Sequence, residues 1–291
     1  MVNQVISLTR KPEQASPLHD KLEPLGFEFS AVNYAFWQAR GDGLTITFYK
    51  SGKLVIQGST AQQFANDFLE DTQTTHGLES VAGLKEWIGS DESGKGDFFG
   101  PLVVAAVHVD KSTAKELTMM GVQDCKSMTD ARVIELAVQV AKYYPHTVVC
   151  LDPESYNISY QKFKNVNLLL ANSHARAIDE LISKTNCNVV LADQFGNEKL
   201  LNDALKTQYP KLKLIQQHRA ETNPAVAAAS VLARAKFLHF MQELSHTFQM
   251  NFPKGATHVI DAGQQFIRMH GHNQLHRVAK LHFKTVQKLR G

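Results

Sequence analysis

The stretch Ile88-Gly89-Ser90-Asp91-Glu92-Ser93-Gly94-Lys95-Gly96-Asp97 limits what this chain can fold into more than any other. Residues 87–91 read as a short apolar strand, and two adjacent carboxylates stand where it gives way to a glycine-rich turn. Consecutive side chains of a regular strand point to opposite faces. Asp91 and Glu92 are therefore expected to share one site only where the strand ends and the backbone curls, with Gly94 and Gly96 supplying the freedom to curl. The same stretch holds most of a phosphate-binding P-loop, Gly89-x-x-x-x-Gly94-Lys95. That reading fails, because Gly96 stands where the motif needs a Ser or Thr for magnesium, and two carboxylates inside the loop would repel a triphosphate.

The surroundings set the fold class. Strand patterns over 87–91, 101–109, 147–151, Val189–Asp193 and 212–216 alternate with helical ones over 129–143, 167–184, 197–208 and 224–244. Thr129 is the expected cap of the first helix, and Asn223 with Pro224 opens the last. This order predicts an α/β domain, a mixed sheet with helices on its faces. Upstream, 44–50 and 53–58 alternate apolar and polar residues around Ser51-Gly52, a hairpin signature. A polar helix is expected over 61–70, and 71–77 lacks apolar anchors and reads as a linker. The chain is thus divided into a small N-terminal domain, 1–76, and a larger one, 77–291.

Two more acids fall at the expected sheet edge. Asp193 ends an apolar strand, and sites in open α/β sheets gather at the carboxyl ends of strands. Glu221 precedes a helix start, where the helix dipole favours a carboxylate. Taken singly, each is an ordinary strand-end or capping residue. Four carboxylates brought together cannot all stay ionised without cations. Hard divalent ions with oxygen ligands, Mg2+ or Mn2+, resolve the conflict. Two of them roughly 3.5–4 Å apart would flank the attacking and leaving oxygens of an in-line phosphoryl displacement. Among 13 histidines, His174 lies in an apolar helix and is read as a hydrogen-bonded core residue.

Charge points to a polyanion. The formal net charge is only +3, but residues 1–80 hold six Lys/Arg against nine Asp/Glu, and no acid follows Asp261. Arg277, Lys280, Lys284 and Lys288 are spaced 3, 4 and 4, so a terminal helix would carry them on one face, along a phosphate backbone. The three cysteines show no metal or disulfide spacing, and no long apolar span is present. A cytoplasmic monomer with no membrane partner is the expectation.

These residues carry a family likeness. Asp91-Glu92-Ser93-Gly94-Lys95-Gly96-Asp97-Phe98-Phe99-Gly100-Pro101 resembles the opening motif of the type 2 ribonucleases H, and more closely its ribonuclease HIII branch. Asp124-Cys125-Lys126-Ser127 resembles the family's Asp-Ser-Lys segment, with Cys125 in place of serine. Tyr156-Asn157, Asn165-Val166-Asn167, His174-Ala175-Arg176-Ala177, Arg219-Ala220-Glu221, 227–234 and 278–284 resemble further HIII patterns. Tyr49-Lys50-Ser51-Gly52-Lys53 with Gln57-Gly58 resembles the TATA-binding-protein-like domain that precedes the HIII catalytic domain.

The likeness implies a ribonuclease H-like fold behind a small α+β domain that helps hold substrate. It implies hydrolysis of the RNA strand of RNA–DNA hybrids, with Asp91, Glu92, Asp193 and Glu221 as catalytic metal ligands. It also implies substrate contacts by Gly94, Lys95, Gly96, Lys126, Ser127 and Asn157, beside the Lys280 and Lys284 suggested by spacing. Three rivals remain open: a ribonuclease HII-like excision of single ribonucleotides, a hybrid-binding protein without chemistry, and a metal-dependent phosphatase.

Overall fold

The computed structural model describes residues 4–23, 26–61, 64–65, 81, 83–123, 125, 128–217 and 220–289. The chain splits into two compact units, Met1–Thr75 and His76–Gly291.

In the first unit five strands form an antiparallel sheet. They are β1 (Gln4–Thr9), β2 (Glu28–Ser30), β3 (Ala35–Gly41), β4 (Leu44–Tyr49) and β5 (Lys53–Gly58), in the order β1-β5-β4-β3-β2. The expected hairpin is β4–β5. Its turn needs glycine at position 52, with φ +83° and a Cβ that would fall 2.5 Å from the Arg10 carbonyl. Helix α1 (Ala15–Leu22) covers one face. Leu18 and Leu22 are buried with Trp37, Ile46, Phe48, Leu54 and Ile56. The Trp37 indole N–H donates to the Ala15 carbonyl at 2.7 Å, so the ring leaves no polar atom unpaired. The expected helix over 61–70 and the linker over 71–77 fall largely or wholly outside the described residues.

The second unit is built on β6 (Glu86–Ser93), β7 (Leu102–Asp110), β8 (His146–Leu151), β9 (Val189–Asp193) and β10 (Lys213–Gln217). Their order is β10-β9-β6-β7-β8; β6, β9 and β10 run parallel and β7 antiparallel to its neighbours. Every strand expected here is present within two residues at most sites. Helices α3 (Asp130–Tyr143), α5 (Val166–Thr185), α6 (Glu198–Lys206) and α7 (Pro224–Phe248) match expectation, and Thr129 caps α3. Three more helices break the simple alternation: α2 (Lys111–Met119), α4 (Pro153–Phe163) and α8 (Ile260–His270).

Alternation along β6 sets what each face meets. A Cβ on Gly89 would sit 2.3 Å from the Ala225 and Val226 backbone, so α7 lies directly on that face. The next residue, Ser90, bonds His174 of α5. Helices α5 and α7 therefore flank opposite faces of the sheet. The start of α7 is pinned by Asn223, whose side-chain oxygen accepts from the Ala225 N–H at 3.0 Å and from the Trp87 indole at 2.9 Å. Five alanines of α7 and its Val226 and Val231 are buried, and their small volume permits the close approach.

The expected basic terminal helix does not form. Residues His272–Arg277 make a 3-10 turn, 278–284 run as an irregular strap, and only Thr285–Leu289 (α9) is helical. The reason is a stronger competitor for the backbone. Lys280 N–H donates to the Phe98 carbonyl, Gly100 N–H donates to the Val278 carbonyl, and Ala279 pairs with Phe99 as an isolated bridge. The strap is locked onto the 97–100 segment.

Candidate catalytic site

The ladder of β6 continues through Ser93, with Asp91 opposite Ala105 and Glu92 opposite Val104 on β7. The strand does not end and curl at the two acids, as the sequence suggested. They keep the alternation and leave opposite faces at the sheet's end. Asp91 follows Gly89 toward α7, where the Ser230 hydroxyl bonds it. Glu92 follows Ser90 toward α5, where its Oε2 lies 3.2 Å from His174 Nε2. Parallel pairing of Ser90 with Ala192 brings Asp193 beside Asp91. Asp193 Oδ1 accepts from the Ala220 N–H at 3.1 Å, so Glu221, the next residue, stands in the short 3-10 turn Ala220–Thr222 just ahead of α7.

The electrostatics match that crowding. Burial first, then the Glu92 charge and also that of Asp193, hold the Asp91 carboxyl well above the usual carboxylate range. Bonds from the Glu92 N–H, at 2.8 Å, and from Ser230 pull the other way without prevailing. The nearest described ammonium, Lys95 Nζ, is 3.9 Å from Glu92 Oε1 and donates to the Phe195 carbonyl at 3.3 Å. An all-oxygen donor set that disfavours its own ionisation fits a hard divalent cation.

A second cluster, Glu86, His108 and Cys187, has its ligand atoms within 4.8 Å of one another. It sits at the start of β6, roughly 17 Å along the strand from Asp91. Its mixed sulfur, nitrogen and oxygen donors do not suit magnesium.

The remaining expected residues divide. Gly94 is required by the fold: its φ is +91°, and a Cβ would lie 2.1 Å from the Pro101 carbonyl. Nothing lies within 4 Å of a Cβ on Gly96, so its surface is open to an approaching backbone. Lys126 and Ser127 lie outside the described residues. Their neighbour Cys125 reaches the site, with its sulfur 2.9 Å from Ser230 Oγ.

Asn157 and Lys280, expected at substrate, are both buried and hydrogen-bonded within the protein. The Asn157 amide donates to the His276 and Ala279 carbonyls and accepts from the Leu281 N–H. Lys280 Nζ donates to the Asp97 and Gly100 carbonyls, each at 2.8 Å, and lies over the Tyr156 ring. They clamp the strap. Lys284 is exposed. His174 is the buried, bonded residue expected, but the partner that matters, Glu92, was missed. The signal was present: a polar side chain in an apolar helix must find polar partners, and Ser90 and Glu92 supply the polar side chains of one face of β6.

Residues 88–286 match the family model described as Ribonuclease HII, and residues 4–80 match a domain of unknown function (DUF3378). This sets the class, a type 2 ribonuclease H. Ribonuclease HIII of Chlamydia abortus is 41% identical over 95% of this chain and 94% of its own. Ribonuclease HIII of Protochlamydia amoebophila is 39% identical over the same shares. The crystal structure of Bst-RNase HIII in complex with Mn2+ superposes with a TM-score of 0.70 at 27% identity, covering 99% of this chain and 98% of that one. An RNase HII from Archaeoglobus fulgidus, solved as a complex with PCNA, covers only 70% of this chain, with a TM-score of 0.58 at 27% identity. The chain belongs to the ribonuclease HIII family.

Proposed function

We propose that the chain is an endonuclease that hydrolyses the RNA strand of RNA–DNA hybrids, with Asp91, Glu92, Asp193 and Glu221 holding Mg2+ or Mn2+. The observation that carries this is the crowding of Asp91, Glu92 and Asp193 at one sheet end, with Asp91 forced away from its usual ionisation. Bound there, the ions supply Lewis-acid chemistry for an in-line displacement that leaves 5′-phosphate and 3′-hydroxyl ends. The chain's own residues bind and orient the nucleic acid. Gly96 leaves room for a sugar edge, where a backbone group can read the 2′-hydroxyl that separates RNA from DNA. Lys95 is one-third exposed and can turn from Phe195 to a phosphate. A single-binding-module reading fails because acids at this edge weaken phosphate binding unless metal is present.

The first unit, read as residues 1–76, adds a substrate-holding surface. Cross-strand pairing sets Val5, Gln57, Thr45 and Arg40 in one row of its sheet and Ser7, Val55, Thr47 and Gln38 in the next. That face is mostly uncharged and polar, so it suits close contact with a sugar-phosphate edge more than long-range attraction. A monomer in the cytoplasm completes the reading, on sequence grounds.

Runs of ribonucleotides are the proposed substrate, in preference to a single one. In the HII branch a tyrosine, placed by resemblance at Ala256, packs on the sugar at an RNA-to-DNA junction. Phe252 cannot replace it, because its ring is buried against Phe99, Phe248 and Phe266. The test is one assay with two labelled duplexes, a uniform hybrid and DNA with one ribonucleotide, each with Mg2+ or Mn2+ and with EDTA. Metal-dependent cutting confined to runs of about four or more ribonucleotides is expected. Comparable rates on both duplexes would promote the HII-like reading, and cutting in EDTA would remove the metal site.

A further inference from the structure

We propose that His174 is a positioning residue for Glu92, holding that carboxylate in its metal-binding orientation through a hydrogen-bonded chain anchored on β7; this rests on the metal-site reading above. Direction follows from counting protons. Ser90 Oγ lies 3.0 Å from the Ala105 carbonyl, which ties it to β7. A metal-binding carboxylate only accepts, so the proton shared with Glu92 sits on His174 Nε2, and Nδ1 lies 2.7 Å from Ser90 Oγ. That bond fixes one edge of the imidazole to the sheet, and its other nitrogen falls 3.2 Å from Glu92 Oε2.

Ser90 and Glu92 are two residues apart on one face of β6, a gap of roughly 6.6 Å. The imidazole bridges it. The ring cannot swing out of line, because Phe195 stacks on it with centroids 4.9 Å apart and planes 14° apart, and His174 is fully buried. Phe195 lies two residues beyond Asp193, and its carbonyl accepts from Lys95. His174 thus ties the β6 acid to the segment that follows the β9 acid. A glutamate has three rotatable side-chain bonds. Fixing them before a ligand arrives removes that ordering cost from binding. A buried histidine that merely fills the core needs partners, but has no need for one to be a carboxylate at a metal site.

The test titrates Mn2+ into the metal-free full-length protein at fixed pH and reads the free-ion signal by electron paramagnetic resonance. Outer-shell partners of metal ligands are worth about 10–100-fold in affinity, so His174→Ala is expected to weaken Mn2+ binding by that factor. The Mn2+ concentration for half-maximal cleavage should shift equally, while hybrid affinity without metal stays the same. His174→Gln, whose amide N–H can still reach Glu92, should recover most of the loss. A purely structural role would lower the unfolding temperature of both variants and leave Mn2+ affinity alone. Wild-type Mn2+ affinity in His174→Ala, or no recovery in His174→Gln, overturns the proposal. Should the alanine variant not fold, Ser90→Ala removes only the ring's anchor; it should bind Mn2+ severalfold more weakly, and unchanged affinity overturns the proposal. A wild-type protein that binds Mn2+ without cutting hybrid would sink the functional reading alone, whereas one that binds no Mn2+ overturns both.

Discussion

The carboxylate edge and the C-terminal strap use the same ingredients to opposite ends. Both bury charged and polar groups a short way apart in the second unit. At the strap, each Lys280 and Asn157 group described has a partner of opposite polarity, and the result is a clamp. At the sheet edge, buried Asp91 faces the like charges of Glu92 and Asp193 and is driven from its usual ionisation. A satisfied polar network holds structure in place. An acid cluster that repels itself weakens the fold locally and becomes a receptor for cations.

The comparison breaks most sharply if an edge acid behaves like a strap residue. Asp91→Asn should cut the hydrolysis rate by about a hundredfold or more, beyond what an outer-shell partner is worth. Without metal it should unfold no earlier than the wild type, and a gain of about 1 kcal/mol would appear as roughly 2–4 °C. A lower melting temperature would mean that Asp91 is a structural residue.

Lys280→Met probes the other side. It leaves two buried carbonyls without donors, at a combined cost of about 2–6 kcal/mol, and a midpoint of urea unfolding equal to wild type would remove the clamp. The pH dependence carries a sign. Burial lowers the Lys280 ammonium from 10.5 to about 7, against the pull of Asp97. Between those values the unfolded chain binds a proton that the folded one does not, so this group's contribution to stability rises with pH. Below pH 7 both states are protonated and the slope vanishes. The deficit of Lys280→Met should therefore widen from pH 7 to 9.

Deleting residues 1–75 should leave the edge and strap intact and weaken binding of long hybrids, about tenfold or more if the two units engage one duplex together. Unchanged affinity would give the first unit another role. The smallest effect belongs to Lys284→Ala, the one exposed lysine left of the expected stripe pair. It should weaken all hybrid sequences alike and reduce the log–log salt slope by about 0.9; an unaltered slope would place Lys284 in solvent only.

Much of this was legible in sequence because local signals and tertiary outcome agree. Asn223 caps α7, Asp193 ends β9, and the Asp91-Glu92 pair stands where the sheet edge was expected. The reasons were less legible than the residues. The two acids meet because the sheet stops between two helices, with no curl of the chain, and only the partners Ser230 and His174, more than 80 positions away, reveal it. The strap misled because the 3, 4, 4 spacing of its bases is a local pattern, while Phe98 and Gly100 capture its backbone from some 180 residues upstream. Spacing cannot report a competitor so distant in the chain. The strands β1 to β3 were likewise hidden, since β1 gains its place only by pairing with β5 across more than 40 residues.

The most direct test is cleavage and binding of one labelled uniform hybrid by Asp193→Asn beside wild type in Mn2+. Asp193 joins the β6 acids to the turn that carries Glu221. The account predicts near-complete loss of cleavage with hybrid affinity almost unchanged. More than about a tenth of the wild-type rate, a smaller loss than even an outer-shell partner causes, would take Asp193 out of the metal site and contradict the account.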